Sequence, residues 1–223
     1  MTDTSLIHIF AFGTMGVFSA VSLVRVASAL DCGRMLRNIT AQANRLDRAI
    51  AVKGRAQRDI AIDDALRSIV NKSSPLSRLF RHLFDTYEQG DSGDREGRFE
   101  LEVTRAISPH LHNLGRLARL AGPLGLGITV LTLTISLIGI QSEAGSGGGN
   151  LLQALPVSLI TTAAACFNVV VLNWTSSRLT QLADQALTAG SIAYQKCAKL
   201  FLPAPLPPAQ AVPRKFTQFA GEL

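Results

Sequence analysis

Charged residues are scarce in this sequence, and long stretches contain no acidic residue at all. Only 17% of the 223 residues are charged, while 47% are hydrophobic. A soluble domain needs a more polar surface than this composition provides, so the apolar residues must be segregated in particular segments. Aromatic residues make up only 6%, which argues against the mixed basic and aromatic surfaces that bind nucleic acid. The net charge of +6 therefore needs another explanation.

Three apolar runs are long enough to cross the hydrocarbon core of a bilayer, which takes about 20 residues in helical conformation. They extend from Ser5 to Val24, from Leu120 to Ile140 and from Leu151 to Trp174. In lipid, only helices and closed barrels satisfy every backbone N–H and C=O group, and runs of this length indicate helices. The sequence thus predicts an all-α integral membrane protein with three transmembrane helices.

The basic residues predict the orientation of these helices. All 22 Lys and Arg residues lie between Arg25 and Arg119 or after Trp174, and the N-terminal tip and the loop 141–150 have none. Basic residues stay in the cytoplasm, so we expect the N-terminus and the loop outside and the C-terminus inside. A cleaved signal peptide is not expected, because Asp3 precedes the first apolar run and Arg25 follows it.

This topology divides the chain into five parts. They are the periplasmic tip with transmembrane helix 1 (1–28), a cytoplasmic helical loop (29–119), a transmembrane hairpin (120–174) with a short periplasmic loop (141–150), a cytoplasmic extension of helix 3 (175–202) and a Pro-rich disordered tail (203–223). Helical spacing within the cytoplasmic loop predicts helix in Asn38–Val70, a short helix after Pro75, and a further helix from Phe99 directly into the second span. Pro109 lies inside this last helix, where proline can kink it.

The sequence predicts no enzyme and no resident cofactor. Cys32, Cys166 and Cys197 are expected in reducing cytoplasm or in lipid, which excludes a disulfide framework. His110 and His112 are two positions apart on a predicted helix and face different directions, so they make a poor metal pair. We find no catalytic residue, phosphate loop or metal-spaced cluster.

Small and hydroxyl-bearing residues share one face in each of the last two spans, at 100° per residue. The second span has Gly125, Thr129, Thr132, Ser136 and Gly139, and the third has Ser158, Thr161, Thr162, Ala165, Asn168 and Asn173. Two interpretations stay open. Small residues let membrane helices approach closely, with Gly125, Gly139 and Ala165 as the packing residues. Alternatively, the hydroxyls line a wet path for an ion.

These spans also resemble those of the MotA/TolQ/ExbB proton-channel family, in its TolQ/ExbB-like branch. The resemblance rests on Leu117-Ala-Arg-Leu-Ala-Gly-Pro-Leu-Gly-Leu-Gly-Ile-Thr129-Val130 for the second span, and on Gln153-Ala-Leu-Pro-Val-Ser158 with Asn173 for the third. It covers roughly Phe99 to Ala189. Many relatives have a glutamate where Gln153 stands, and Ile128 replaces the glycine of their Gly-Thr-Val motif.

The resemblance implies a homopentameric ring in the bacterial inner membrane. Such a ring encloses a single-span, ExbD/TolR-like partner with a membrane aspartate, and protons are the transported ion. Thr129 and Ser158 match the family's pore-facing threonines, and Thr162 lies one turn further along. The expected proton pathway comprises Thr129, Thr132, Ser136, Ser158, Thr161 and Thr162. None of the three spans contains an acid, so either the partner's aspartate supplies the only carboxylate or this region has diverged and conducts weakly.

The expected function is therefore that of a stator subunit that couples the proton-motive force to periplasmic or outer-membrane work. The alternative is a non-conducting membrane scaffold, in which the same faces only pack helices and recruit a partner. A small solute permease is a weaker third reading, because it would need more spans and a charged substrate site.

Overall fold

The computed structural model describes residues 3–70, 76–80, 95–142 and 148–201. All regular secondary structure in these ranges is helical, as the sequence predicts. The helices are α1 (Asp3–Ile50), α2 (Arg55–Val70), α3 (76–80), α4 (Arg95–Ser142) and α5 (Gly148–Phe201). The short helix predicted after Pro75 corresponds to α3. The predicted Pro-rich tail lies outside the described residues.

Three of these helices, α1, α4 and α5, are long and apolar enough to cross a membrane, as expected of a multi-pass membrane protein. They contain 48, 48 and 54 residues. At about 1.5 Å per residue each helix is more than twice as long as the ~30 Å hydrocarbon core. Each therefore has an apolar section, which contains the predicted span, and a polar section that continues beyond it.

A tight turn separates α1 from α2. Helical spacing favours helix through Asn38–Val70, but α1 ends at Ile50 and α2 begins at Arg55. Between them Gly54 has a φ of 109°, a left-handed conformation that side chains with a Cβ disfavour. The turn lets α2 pack against α1 with one apolar face. That face consists of Ile62, Ala65, Leu66 and Ile69.

The α4 helix joins the polar and apolar sections without interruption. It contains the helix predicted from Phe99 together with the second span, and Pro109 and Pro123 both lie inside it. The polar section thus passes directly into the apolar section as one continuous helix.

The connection between α4 and α5 is shorter than the predicted loop. The sequence predicts a loop at 141–150, whereas α4 reaches Ser142 and α5 begins at Gly148. Residues 143–147 lie outside the described ranges. At its other end α5 continues past the third span to Phe201.

The polar section has a hydrophobic core to which all five helices contribute. Its largest fully buried side chains include Leu36, Ile39, Leu46, Ile69, Leu76, Phe80, Ile107 and Leu114. Within this core α5 approaches α4 closely at Gly190, where a Cβ atom would lie 2.7 Å from the ring of Phe99. The apolar section is therefore continuous with a densely packed helical base.

The long helices keep a constant register. Parallel helices α1 and α5 meet through three contacts between residues 149 positions apart: Ser19 with Asn168, Gly33 with Leu182, and Asp47 with Lys196. Helix α4 is antiparallel to α5, and its contacts are Phe99 with Gly190, Gly125 with Ala165, and Thr129 with Thr162. These contacts fix the level of every helical residue along the axis of the bundle.

Candidate functional site

The apolar sections of α1, α4 and α5 enclose a small hydrophobic core. Its buried residues are Ala11, Met15, Ile128, Val157 and Ala165. The sequence contains no Asp, Glu, Lys or Arg in residues 9–24, 120–142 or 148–177. Polar chemistry in this section therefore belongs to hydroxyl, amide and backbone groups, together with the thiol of Cys166 and the indole N–H of Trp174.

Gly125 and Ala165 mark a point where α4 and α5 approach closely. A Cβ atom on Gly125 would overlap the Cβ atom of Ala165, so any larger side chain would push the helices apart. The sequence predicts both as packing residues, and they lie directly against each other. The third predicted packing residue, Gly139, has its side-chain position outside the described part of the chain.

Thr129 and Thr162 form a hydrogen bond between α4 and α5, one turn from this crossing. Their hydroxyl oxygens are 2.6 Å apart. The hydroxyl of Thr129 also lies 2.8 Å from the carbonyl oxygen of Gly125 and 3.4 Å from that of Ser158. It has one proton and three acceptors within reach, so rotation of the O–H bond changes its partner. Both threonines are half-buried, and each therefore keeps an open side.

The other predicted pathway hydroxyls that the structure describes lie inside the three-helix bundle. Thr132, Ser158 and Thr161 are each at most 3% exposed. Each hydroxyl donates to a carbonyl oxygen of its own helix, at distances between 2.7 and 3.1 Å. The side chain of Ser136 lies outside the described part. The predicted stripe thus divides into an edge pair, Thr129 and Thr162, and a buried group.

A polar contact joins α1 to α5, and the sequence did not predict it. Asn168 donates from its amide nitrogen to the hydroxyl oxygen of Ser19, at 3.0 Å. One turn further along α1, the hydroxyl of Ser22 is buried and has no partner among the described residues. The sequence does mark this face of α1, because small or buried residues recur there at helical spacing. They are Ala11, Met15, Ser19 and Ser22.

The described residues provide no obvious metal site. No group of three His, Cys, Asp or Glu side chains in them lies close enough to hold a metal ion. The cysteines Cys32, Cys166 and Cys197 are all free thiols. In the polar section, burial and then the nearby Asp47 carboxylate raise the pKa of the Cys197 thiol to about 12. It therefore stays protonated, unlike a nucleophilic or metal-binding thiolate.

The edge pair can accept and donate hydrogen bonds, but it cannot hold a charge. A hydroxyl has one donor and two lone pairs and does not ionise near neutral pH. The three apolar runs contain no Asp or Glu, so a carboxyl group that uses this pair must come from outside them. Comparisons with protein-family models, with curated proteins and with solved structures find no match for the chain.

Proposed function

We propose that this chain is a ring-forming, TolQ/ExbB-like subunit of a proton-driven machine in the bacterial inner membrane. It couples the proton-motive force to periplasmic or outer-membrane work through a single-span partner that carries an aspartate. The observation that supports this proposal best is the Thr129–Thr162 hydroxyl pair, half-buried between two apolar helices in a section without acids.

In the proposed mechanism, the partner's carboxyl group approaches the open side of the edge pair. Burial in the apolar section favours its neutral form, so it takes up a proton there. A neutral carboxylic acid donates a hydrogen bond to the hydroxyl oxygen of Thr129 or Thr162 and keeps its proton, and the ionised form accepts a hydrogen bond from the same hydroxyls. The pair thus stabilises both protonation states without a permanent charge in the membrane.

The proposed orientation places the N-terminus in the periplasm and the polar section in the cytoplasm. The support is the distribution of Lys and Arg, which are absent before Arg25 and from 141–150. In this arrangement the long polar sections of α4 and α5 form the cytoplasmic part of a homopentamer.

Proton flux through reconstituted vesicles tests the proposal. We expect flux in vesicles that hold the chain together with its partner, and less flux when Thr129→Val or Thr162→Val removes one hydroxyl of the pair. The backbone carbonyls that accept these hydroxyls remain bonded within their helices, so both variants should assemble normally.

Thr134→Val is the matched control, because Thr134 is in the same helix but exposed. Its flux should equal that of the unmodified chain. Flux that is absent even with the partner bound, or that is unchanged by both pair variants, would contradict the proposal.

One observation favours the alternative of a non-conducting scaffold. Thr132, Ser158 and Thr161 are buried inside the protomer and hydrogen-bonded to their own helices, as expected of residues that only pack. If the chain is a scaffold, Ser158→Ala and Thr161→Val should be silent, and so should the two edge variants. If protons also pass through the buried hydroxyls, the buried variants should reduce flux as the edge variants do.

A further inference from the structure

An arginine band surrounds one end of the apolar section. It consists of Arg25 on α1, Arg116 and Arg119 on α4, and Arg178 on α5, together with Trp174. All five side chains are exposed, and the tryptophan is 64% exposed. The band is therefore open to whatever surrounds the protein at this level.

The helix registers place these residues at nearly one level. The spacing of 149 positions between α1 and α5 puts Arg25 beside Trp174. Starting from the Gly125–Ala165 contact, nine residues back along α4 and nine forward along α5 put Arg116 level with Trp174. Arg119 lies about 5 Å to one side of this level and Arg178 about 6 Å to the other, at 1.5 Å per residue. The band is thus about 10 Å deep, comparable to a headgroup layer.

No carboxylate among the described residues pairs with the band, and Asp31, the acid nearest to Arg25 on α1, pairs with Arg34 instead. The sequence has no Asp or Glu in residues 4–30, 104–142 or 148–183. Arg25, Arg116 and Arg119 form no hydrogen bond or ion pair with any described residue. Arg178 bonds only to the neutral amide oxygen of Gln181, at 3.2 Å. Four positive charges therefore have no paired carboxylate among the described residues, and arginine is suited to bidentate phosphate binding.

We propose that the arginine band binds the headgroups of anionic phospholipids. The charge complementarity is direct, because phosphatidylglycerol presents its phosphate at the level where the acyl chains meet water. Apolar side chains exposed just inside the band, among them Leu120 and Val170, would contact the acyl chains of the same lipids. This binding does not depend on proton conduction.

Fluorescence of Trp174 tests the inference directly, because it is the only tryptophan in the chain and lies within the band. The full chain is reconstituted in vesicles that contain brominated phosphatidylglycerol or brominated phosphatidylcholine, since bromine quenches tryptophan on contact. We expect brominated phosphatidylglycerol to reach half-maximal quenching at a lower mole fraction than brominated phosphatidylcholine. The difference should be about fivefold or more, because one arginine near the surface contributes a factor of about five to the binding of anionic lipid. This preference should shrink as added salt screens the charges.

Two variants with the same change in net charge locate the effect. Replacing Arg25, Arg116, Arg119 and Arg178 by Gln should abolish the preference. The control replaces Arg45, Arg48, Arg55 and Arg98 by Gln, which are also exposed. The register places Arg45, Arg48 and Arg98 at least about 27 Å from the level of Trp174, and Arg55 begins α2, beyond the far end of α1. The control should keep the preference of the unmodified chain.

Three results would overturn the inference. Equal quenching by both lipids in the unmodified chain would show no selectivity, and this measurement needs no variant. Equal loss of the preference in both variants would show that net charge alone attracts the lipid. Loss of the preference on adding inorganic phosphate, but not chloride of equal ionic strength, would show that the band binds a free anion.

Discussion

At the scale of single residues, the half-buried Ser19 and the buried Ser22 of α1 differ in a way that has energetic consequences. Ser19 accepts a hydrogen bond from Asn168, whereas the buried hydroxyl of Ser22 has no partner among the described residues. A buried polar group without a partner is costly, and a satisfied one is modestly stabilising. Two identical side chains one turn apart should therefore respond in opposite ways to the same truncation.

We predict that Ser19→Ala destabilises the chain by about 0.6 kcal/mol, a typical value for a hydrogen bond between membrane helices. Ser22→Ala should leave the stability unchanged or raise it, because no bond is lost and a desolvated hydroxyl is removed. Reversible unfolding in mixed micelles, followed by circular dichroism, measures both. A larger loss for Ser22→Ala than for Ser19→Ala would show that Ser22 has a binding partner in the membrane.

Gly125 offers a second comparison at this scale. We predict that Gly125→Ala costs about 1–3 kcal/mol, because its methyl group would overlap Ala165 and force α4 away from α5. Gly127→Ala is the control, since a Cβ atom there meets nothing within 4 Å. The same unfolding measurement applies, and Gly125→Leu should be more damaging still. Equal stabilities of the two alanine variants would show that the helices separate more easily than the close contact indicates.

At the scale of helices, the sequence predicts that a helix exists better than it predicts where the helix ends or which helix it packs against. The spans and the helix through Phe99 followed from apolar length and helical spacing, both of which are local. The turn at Gly54 was missed because one glycine after Lys53 is a weak local signal, and its φ of 109° depends on how α2 packs against α1. The helical spacing of Ser19 and Ser22 marks a face of α1, but it does not identify Asn168, 149 positions away, as the partner of Ser19.

The candidate site shows the same limit. The wheel positions of Thr129 and Thr162 place each on the small-residue face of its own helix. These positions alone do not predict that the two hydroxyls form a hydrogen bond with each other. Nor do they predict that Thr132 and Thr161 are buried inside the bundle. That division depends on the crossing of α4 and α5 at Gly125, a property of the helix pair rather than of either sequence segment.

The contact between α1 and α5 provides a prediction at the helix scale. The ion pair of Asp47 and Lys196 joins the two helices, but both side chains are substantially exposed. We therefore expect Asp47→Asn to cost less than about 1 kcal/mol. Leu46→Ala should cost about 2–5 kcal/mol, because Leu46 is completely buried in the polar section. Unfolding in mixed micelles ranks the two, and a larger cost for Asp47→Asn would show that charge rather than apolar packing holds the register.

At the scale of the whole molecule, the proposed topology can be tested by cysteine labelling in intact cells. With the three native cysteines replaced, single cysteines at Asp3 and Gly147 should react with a membrane-impermeant reagent from outside. Cysteines at Arg58 and Lys215 should react only after the cells are opened. The physical reason is the confinement of Lys and Arg to one side of the spans. Labelling of position 58 from outside would contradict the topology and the proposed function that depends on it.

The proposed ring makes a prediction about apolar side chains that no lipid can cover. Ile192 is 45% exposed, and it follows Trp174 by 18 residues, or about 27 Å of helix. In the proposed topology the bilayer does not extend that far, and in the proposed ring a neighbouring copy covers this side chain. Native mass spectrometry in detergent should show a homopentamer, and Ile192→Glu should shift it towards smaller species.

Gln185→Glu is the control for this prediction, because Gln185 lies two turns away on the same exposed face of α5 and gains the same charge. Assembly that survives Gln185→Glu but not Ile192→Glu would show that the lost apolar contact matters, since only the isoleucine buries apolar surface against the neighbour. Equal loss in both variants would indicate that an added negative charge at this surface is enough to separate the copies. A stable monomer of the unmodified chain, purified with its lipids, would contradict the ring itself. The hydroxyl pair would then have no second protomer beside it to close a pore around the partner.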